Sequence, residues 1–263
     1  MRNIKIILSD RLPEVEITAV RVDAAKRQLE EVAGKILFDN DLIRENARKF
    51  GEAVERYFVE KTFPRRAMFS FSHCPEIFSE LWGGSQNLFM PKSVLDKLTR
   101  LPTDKFQGHN IPMRIIKQLP IAIHDPIAIF NSATDMTGKT LVALLDLQSP
   151  DPFIGKLQNL CMAIEFDVEG HVELIGLVKS AYGKSNRKYV HWFLEDCSAL
   201  YVDTKRARKW LPTAGLQLPG GKSSSGLKRI ILSKESFVKD RIEKILPEIE
   251  KAFSADCDQE QRL

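Results

Sequence analysis

The chain contains no CxxC pair. Its four cysteines stand at 74, 161, 197 and 257, too scattered for a zinc ribbon or finger. At 263 residues it does not need disulfide staples either, so a reducing compartment is expected. The five histidines, at 73, 109, 124, 171 and 191, form no HxH or HExxH pattern. No metal and no cofactor is therefore expected. There is no GxGxxG and no Walker loop, and Gly220–Gly226 (GGKSSSG) follows no strand and opens no helix, so it reads as a linker. No apolar run approaches the ~20 residues of a membrane helix, and the N-terminus is too short in apolar residues for a secretory signal. A cytoplasmic protein that does not use the membrane is expected, with delivery inside a virion as an alternative. The formal charge is only +4, so affinity for nucleic acid would have to come from local clustering.

What is present divides into three expected regions. Residues 1–66 read as an N-terminal helical region. Leu29, Val32, Ala33, Ile36 and Leu37 share one helical face, and after Asp41 a second stripe runs Ile43, Ala47, Phe50, Val54, Tyr57. Residues 67–219 carry short helices and a run of strands, among them Met68–Ser72, Thr140–Leu147 and Leu160–Phe166. Residues 220–263 read as a linker and a C-terminal helix. Strands that follow one another through tight turns, with helices before and after, indicate an α+β fold rather than a doubly wound sheet. The expectation is N-terminal helices packed on a central antiparallel sheet of four to five strands.

The stretch His171–Trp192 (HVELIGLVKSAYGKSNRKYVHW) organises the functional reading. Simple alternation sets Val172, Leu174, Gly176 and Val178 on one face and continues that face through Ser180 and Tyr182. Gly183 would then break the strand, and Asn186 would cap a helix over 187–196. Lys179, Lys184, Arg187 and Lys188 crowd the junction. From Lys179 to Lys209 there are eight Lys or Arg against Glu195, Asp196 and Asp203. Such a cluster is either a solvated basic turn or an anion site, phosphate being the first candidate. Lys205, Arg206, Arg208 and Lys209 similarly read as a solvated helix face or as a phosphate-tracking patch.

Metal-independent cleavage of an RNA backbone needs a base, an acid and groups that stabilise a charged phosphorane. His109 lies in a polar Gly-His-Asn bend before a helix, and its ordinary pKa near 6.5 suits proton transfer. The alternative for it is a loop residue making a capping hydrogen bond. His191 reads as a packing or surface residue, His171 as exposed, and His124 as a turn residue beside Asp125-Pro126.

Over roughly Pro75–Pro219 the chain resembles the phage MuF C-terminal domain of polyvalent and toxin-like phage proteins. Eight blocks carry the resemblance in order and spacing: CPEIFSELWG, MPKSVLDKL, GHNIPMRIIKQLPIAIHDPIAIFNSAT, LVALLDL, MAIEFD, VKSAYGKSNRKYVHWF, ALYVDTKRARKWL and LQLP. The resemblance implies a compact α+β domain of phage or prophage proteins, often fused behind other modules. Its layout is also similar to the barnase–EndoU–colicin–RelE nuclease superfamily, many of whose members cleave RNA without metal. Carried onto this chain, the matching polar positions are His109, Ser132, Ser180, Tyr182 and Lys184, with Tyr201 a weaker candidate. The chain departs from the pattern in having only about 70 residues, read as helices, before the domain, and in an insertion, SPDPFIGKLQN, between two strands.

The resulting expectation is a toxin-like, metal-independent ribonuclease of phage type acting on RNA. His109 would serve as acid or base, Lys184 with Arg187 would hold the phosphorane charge, and Ser180 and Tyr182 would donate hydrogen bonds. Lys179, Lys188 and the 205–209 cluster would bind the backbone. Two other classes stay open. One is a non-catalytic nucleic-acid-binding or virion-associated domain, using the N-terminal helices against an immunity or virion protein. The other is an ADP-ribosyltransferase-like toxin, for which no acidic pair at a strand end is apparent.

Overall fold

The structure, a computed structural model, describes residues 2–8, 12, 14–60, 63–64, 66–103, 108–170, 172–184, 192, 199–208 and 232–254. It divides into two compact units, one of residues 1–42 with 234–263, the other of residues 43–233.

In the first unit, β1 (Arg2–Ile6) and β2 (Val15–Ala19) form an antiparallel hairpin. α1 (Val22–Phe38) follows, burying Ala25, Leu29, Ala33 and Leu37 at the three-to-four-residue spacing of one helical face. The C-terminal helix of the chain, Lys234–Ser254, packs against it and runs through Pro247. Phe38 and Phe237 meet with ring centroids 6.0 Å apart. The ammonium of Lys234 lies 4.3 Å from the Phe38 ring centre.

The second unit is built on one eight-stranded sheet, larger than the four to five strands expected. α2 (Asp41–Glu60) leads into β3 (Met68–Ser72), α3 (Glu76–Trp82), β4 (Leu88–Pro91) and α4 (Lys92–Thr99). Two single-turn helices, α5 (Met113–Ile116) and α6 (Leu119–Ala122), precede β5 (Ala128–Asn131). Pro120 lies in the first turn of α6, where a proline forfeits no intrahelical bond. β6 (Thr140–Pro150), β7 (Leu157–Glu169) and β8 (Leu174–Lys184) follow as an antiparallel meander. β9 (Ala199–Val202), α7 (Thr204–Arg208) and β10 (Leu232–Ser233) complete the unit. The strand order is β10-β9-β5-β6-β7-β8-β4-β3.

The expected strands are present, but two parallel pairings extend them. β4 joins β8 in parallel and brings the β3–β4 pair to that edge, and β10 joins β9 in parallel at the other. Parallel neighbours are reached by long crossovers, which local pattern does not announce. α2 packs on β3: Phe50 meets Phe71 edge-on at 5.1 Å, and Tyr57 meets Phe69 at 5.7 Å. Phe50 and Phe71 are both fully buried. Each such side chain contributes about 1.5–3 kcal/mol through water release.

The segment expected as a long insertion is the end of the β6–β7 hairpin, whose strands stay paired out to Pro150 and Leu157. Among the described residues no helix is long and apolar enough to cross a membrane.

Candidate active site

β8 does not hold one face throughout. Met162 pairs with Ala181, Ala163 with Ser180, and Ile164 with Val178, so Lys179 is an extra residue on its strand. Such a bulge shifts the alternation by one. Ser180 and Tyr182 therefore lie on the face opposite Val178, contrary to the simple two-residue reading. Strand β8 also continues through Gly183 to Lys184. On the new face Ser180 and Tyr182 stand beside Ala163 and Cys161, whose partners across the next ladder are Val142 and Leu144. This face carries a small apolar cluster around Phe130, Val142, Leu144 and Cys161, with Tyr182 and Trp192 packed on it. The bulge thus delivers a hydroxyl and a phenol to the margin of that cluster.

His109 reaches the same place by a backbone clasp. His109 N–H donates to Lys97 C=O (3.1 Å), Asn110 N–H to Arg100 C=O (3.0 Å) and Ile111 N–H to Leu98 C=O (2.8 Å). These acceptors are carbonyls at the end of α4, which a helix leaves without internal partners. Gly108 is required for this approach, since a Cβ there would fall 2.2 Å from the Arg100 carbonyl oxygen. Asn110 takes φ +47°, a left-handed value asparagine tolerates, and Pro112 flanks α5.

The two constructions converge. His109 Nε2 lies 3.4 Å from Ser180 Oγ, and the His109 and Tyr182 rings are 6.1 Å apart between centroids. They line a cleft of about 540 Å³ together with Ser132, Asp135, Thr140, Lys97, Lys179 and Lys184. Burial first, then the Lys97 ammonium, lowers the His109 pKa to about 4, so its imidazole is neutral at pH 7. Burial, with the Cys161 thiol second, pushes the Tyr182 phenol up to about 12, so it stays a proton donor. Lys184 places its ammonium 5.2 Å from the Tyr182 ring centre. Lys179 is half exposed and pairs with Glu165 at 2.6 Å. Ser132 lies beside Thr134, with 3.2 Å between hydroxyl oxygens.

Lys97 and Asp135 also line the cleft, and neither stood out in the sequence. Lys97 sits on an amphipathic helix whose buried residues are Val94, Leu95 and Leu98, so its pattern is that of a surface lysine. Asp135 opens the turn before β6 and accepts bonds from Thr137 N–H (2.9 Å) and Thr137 Oγ–H (2.6 Å). Those bonds hold its carboxyl well below the usual range. The cleft is therefore of mixed charge, with three lysines and one firmly ionised aspartate.

Other expected positions do not join it. Tyr201 is fully buried, and its pairing with Ile129 puts it on the sheet face opposite Ser180 and Tyr182. Arg206 is not a free phosphate ligand. Its guanidinium donates to Asp203 (2.7 Å), to the Asp125 carboxylate (2.6 Å) and to the carbonyls of Asp125 and Pro126 (3.0 and 3.1 Å). Lys205 is exposed. Arg187, Lys188 and Lys209, the side chain of Arg208, and also His171 and His191, lie outside the described residues. His124, read as a turn residue, is sealed in the interior, its Nε2 2.7 Å from Ser72 Oγ and its ring 4.5 Å from that of His73.

Residues 101–209 match the model of a family described as the phage MuF-C-terminal domain. That span contains every cleft residue named above except Lys97. No curated protein and no solved structure matches the chain.

Proposed function

We propose that the cleft is the active site of a phage-type effector that cleaves an RNA backbone by acid/base catalysis. One observation carries this: a neutral histidine stands against a hydroxyl and a protonated phenol, ringed by lysines, in a cleft open enough for a polymer. A neutral imidazole can take the proton of the attacking 2′-hydroxyl. Lys97, Lys179 and Lys184 would balance the charge of the phosphorane, and Ser180 and Tyr182 would donate hydrogen bonds to its oxygens.

Substrate would also retune the base. Lys97 disfavours imidazolium in the empty cleft. A bound phosphate anion offsets that cation and favours imidazolium, raising the pKa of His109 toward neutrality. The acidic limb of kcat should accordingly lie at higher pH than that of kcat/KM, which reports free enzyme. The MuF family match supports the phage setting.

The test is incubation of the full chain with structured and unstructured RNA in EDTA. Cleavage is expected, and it should fall by about 10²–10⁴-fold in His109→Ala and fall measurably in Tyr182→Phe. No cleavage, or cleavage indifferent to both substitutions, removes the proposal. RNA binding without cleavage would then select the non-catalytic binding class.

A further inference from the structure

A second, smaller cavity of about 150 Å³ lies against the first, and His109 and Gly183 line both. Its other walls are the loop at Gly108 and Ile111 and the end of the β6–β7 hairpin from Ser149 to Phe153, with Gln158. Its chemistry leans to acceptors. Pro150 and Pro152 have no N–H to offer. The N–H groups of Phe153 and Ile154 are committed to Asp151 Oδ1 (2.9 and 3.0 Å), and that of Asp151 to the Lys156 carbonyl (2.8 Å). The Gln158 amide donates to Asp151 Oδ2 at 3.0 Å. What remains leans to acceptors: the Asp151 carboxylate, held low in pKa first by the Phe153 N–H, and the unprotonated nitrogen of the neutral His109 imidazole, beside a Ser149 hydroxyl that can accept as well as donate.

One buried polar group there has no partner among the described residues. Ser149 is 3% exposed, lines the cavity, and its hydroxyl makes no hydrogen bond among the described residues. Buried hydroxyls are ordinarily bonded, so one left over on a cavity wall is what a ligand would satisfy. Gly183 leaves the room that Gln158 occupies, since a Cβ at 183 would fall 2.7 Å from its Oε1. Phe153 lines the cavity yet is 78% exposed, which leaves a ring face at the mouth for stacking.

We infer that this cavity is a base subsite: it takes one nucleobase presenting adjacent N–H groups, guanine foremost, from the strand whose backbone lies in the larger cleft. A nucleotide separates its base from its phosphate by one sugar, and the two cavities share the His109 wall. Of the four RNA bases, guanine alone offers a ring N–H beside an amino group, which matches walls rich in acceptors. The choice of RNA as the polymer rests on the ribonuclease proposal; the preference for an N–H-bearing ring rests on the cavity.

The experiment titrates the full chain with the four nucleoside 3′-monophosphates by calorimetry and compares Ser149→Ala and Asp151→Asn. Ser149→Ala removes a hydroxyl that bonds nothing among the described residues, so the fold is retained; Asp151→Asn tests the acceptor from the exposed end of the hairpin. Guanosine 3′-monophosphate is expected to bind at least about tenfold tighter than the cytidine compound, and each substitution to narrow that ratio about fivefold. Equal affinity for all four, or a preference untouched by both substitutions, overturns the subsite even if RNA is cleaved. A guanosine preference that depends on Ser149, in a protein that cleaves no RNA, sustains the subsite and removes the catalytic proposal. Absence of binding by any monophosphate overturns the subsite and leaves Phe153 and Ile154 as an exposed hairpin end.

Discussion

His109 and His124 lie in one unit and are both held neutral by burial, yet their surroundings differ in kind. His124 is 1% exposed, bonded to Ser72 and set at a tilt beside His73, with Asn46 in turn bonded to His73 at 2.8 Å. His109 is half-buried, its ring opening on a cleft, its Nε2 3.4 Å from the Ser180 hydroxyl. At the first site every contact is internal, so the imidazole acts as a packing and hydrogen-bonding piece. At the second the protein supplies only part of the coordination and leaves the rest to whatever enters. The contrast shows that a lowered histidine pKa is not by itself a mark of function. What distinguishes the two is unfilled space beside the ring.

Exchanging the two histidines for alanine tests this most strongly. His109→Ala should remove about 10²–10⁴-fold of RNA cleavage while the melting temperature barely moves. His124→Ala should cost about 2–4 kcal/mol of stability, since it leaves a cavity and a buried Ser72 hydroxyl without its histidine. Cleavage per folded molecule should be retained, as read by denaturant melts beside an activity assay. If the two variants behaved alike, the division between them would collapse.

The same contrast holds among the basic residues. Arg206→Ala removes the cation between Asp125 and Asp203 and should cost about 2–4 kcal/mol, whereas Lys205→Ala should stay within about 0.5 kcal/mol. A smaller effect is expected from Lys179→Ala, which should lower the salt dependence of RNA binding by about one phosphate contact.

Acid titration gives a finer test. Both imidazoles protonate in the folded state below the ordinary value near 6.5, His109 at about 4. Between those limits the unfolded chain binds protons that the folded chain refuses, so stability is full above pH 6.5 and declines as the pH falls toward 4. His124→Gln should flatten that decline. Lys97→Ala should leave stability little changed while moving the acidic limb of kcat/KM upward, because it removes a cation that opposes imidazolium.

Much of this was legible in the residues. The helical stripes of α1 and α2 and the β5–β9 strands follow from spacing, whereas His109, Ser180 and Tyr182 are grouped only through the resemblance and not by any local pattern. The register of β8 was not legible, because a bulge at Lys179 has no local signature in a run of alternating residues, and it moves the hydroxyls to the other face. Arg206 misled because its partners Asp125 and Asp203 are brought together only by the pairing of β5 with β9. Lys97 and Asp135 look like ordinary surface charges until the clasp at Gly108 and the turn at Asp135 put them in the cleft. Ser149 was hidden in what read as an insertion, since paired strands and a loop are hard to tell apart when prolines interrupt the alternation.

The division of the chain has a consequence for its synthesis. Residues 43–233 form their unit from one uninterrupted stretch, whereas α1 must wait for a helix that begins at Lys234. As the polypeptide leaves the ribosome, the catalytic candidate can therefore assemble while Leu29, Leu37 and Phe38 still lack their final covering. The helix Lys234–Ser254 acts as a latch on α1, and a premature stop codon near position 234 would spare the cleft and orphan the amino-terminal hairpin and helix.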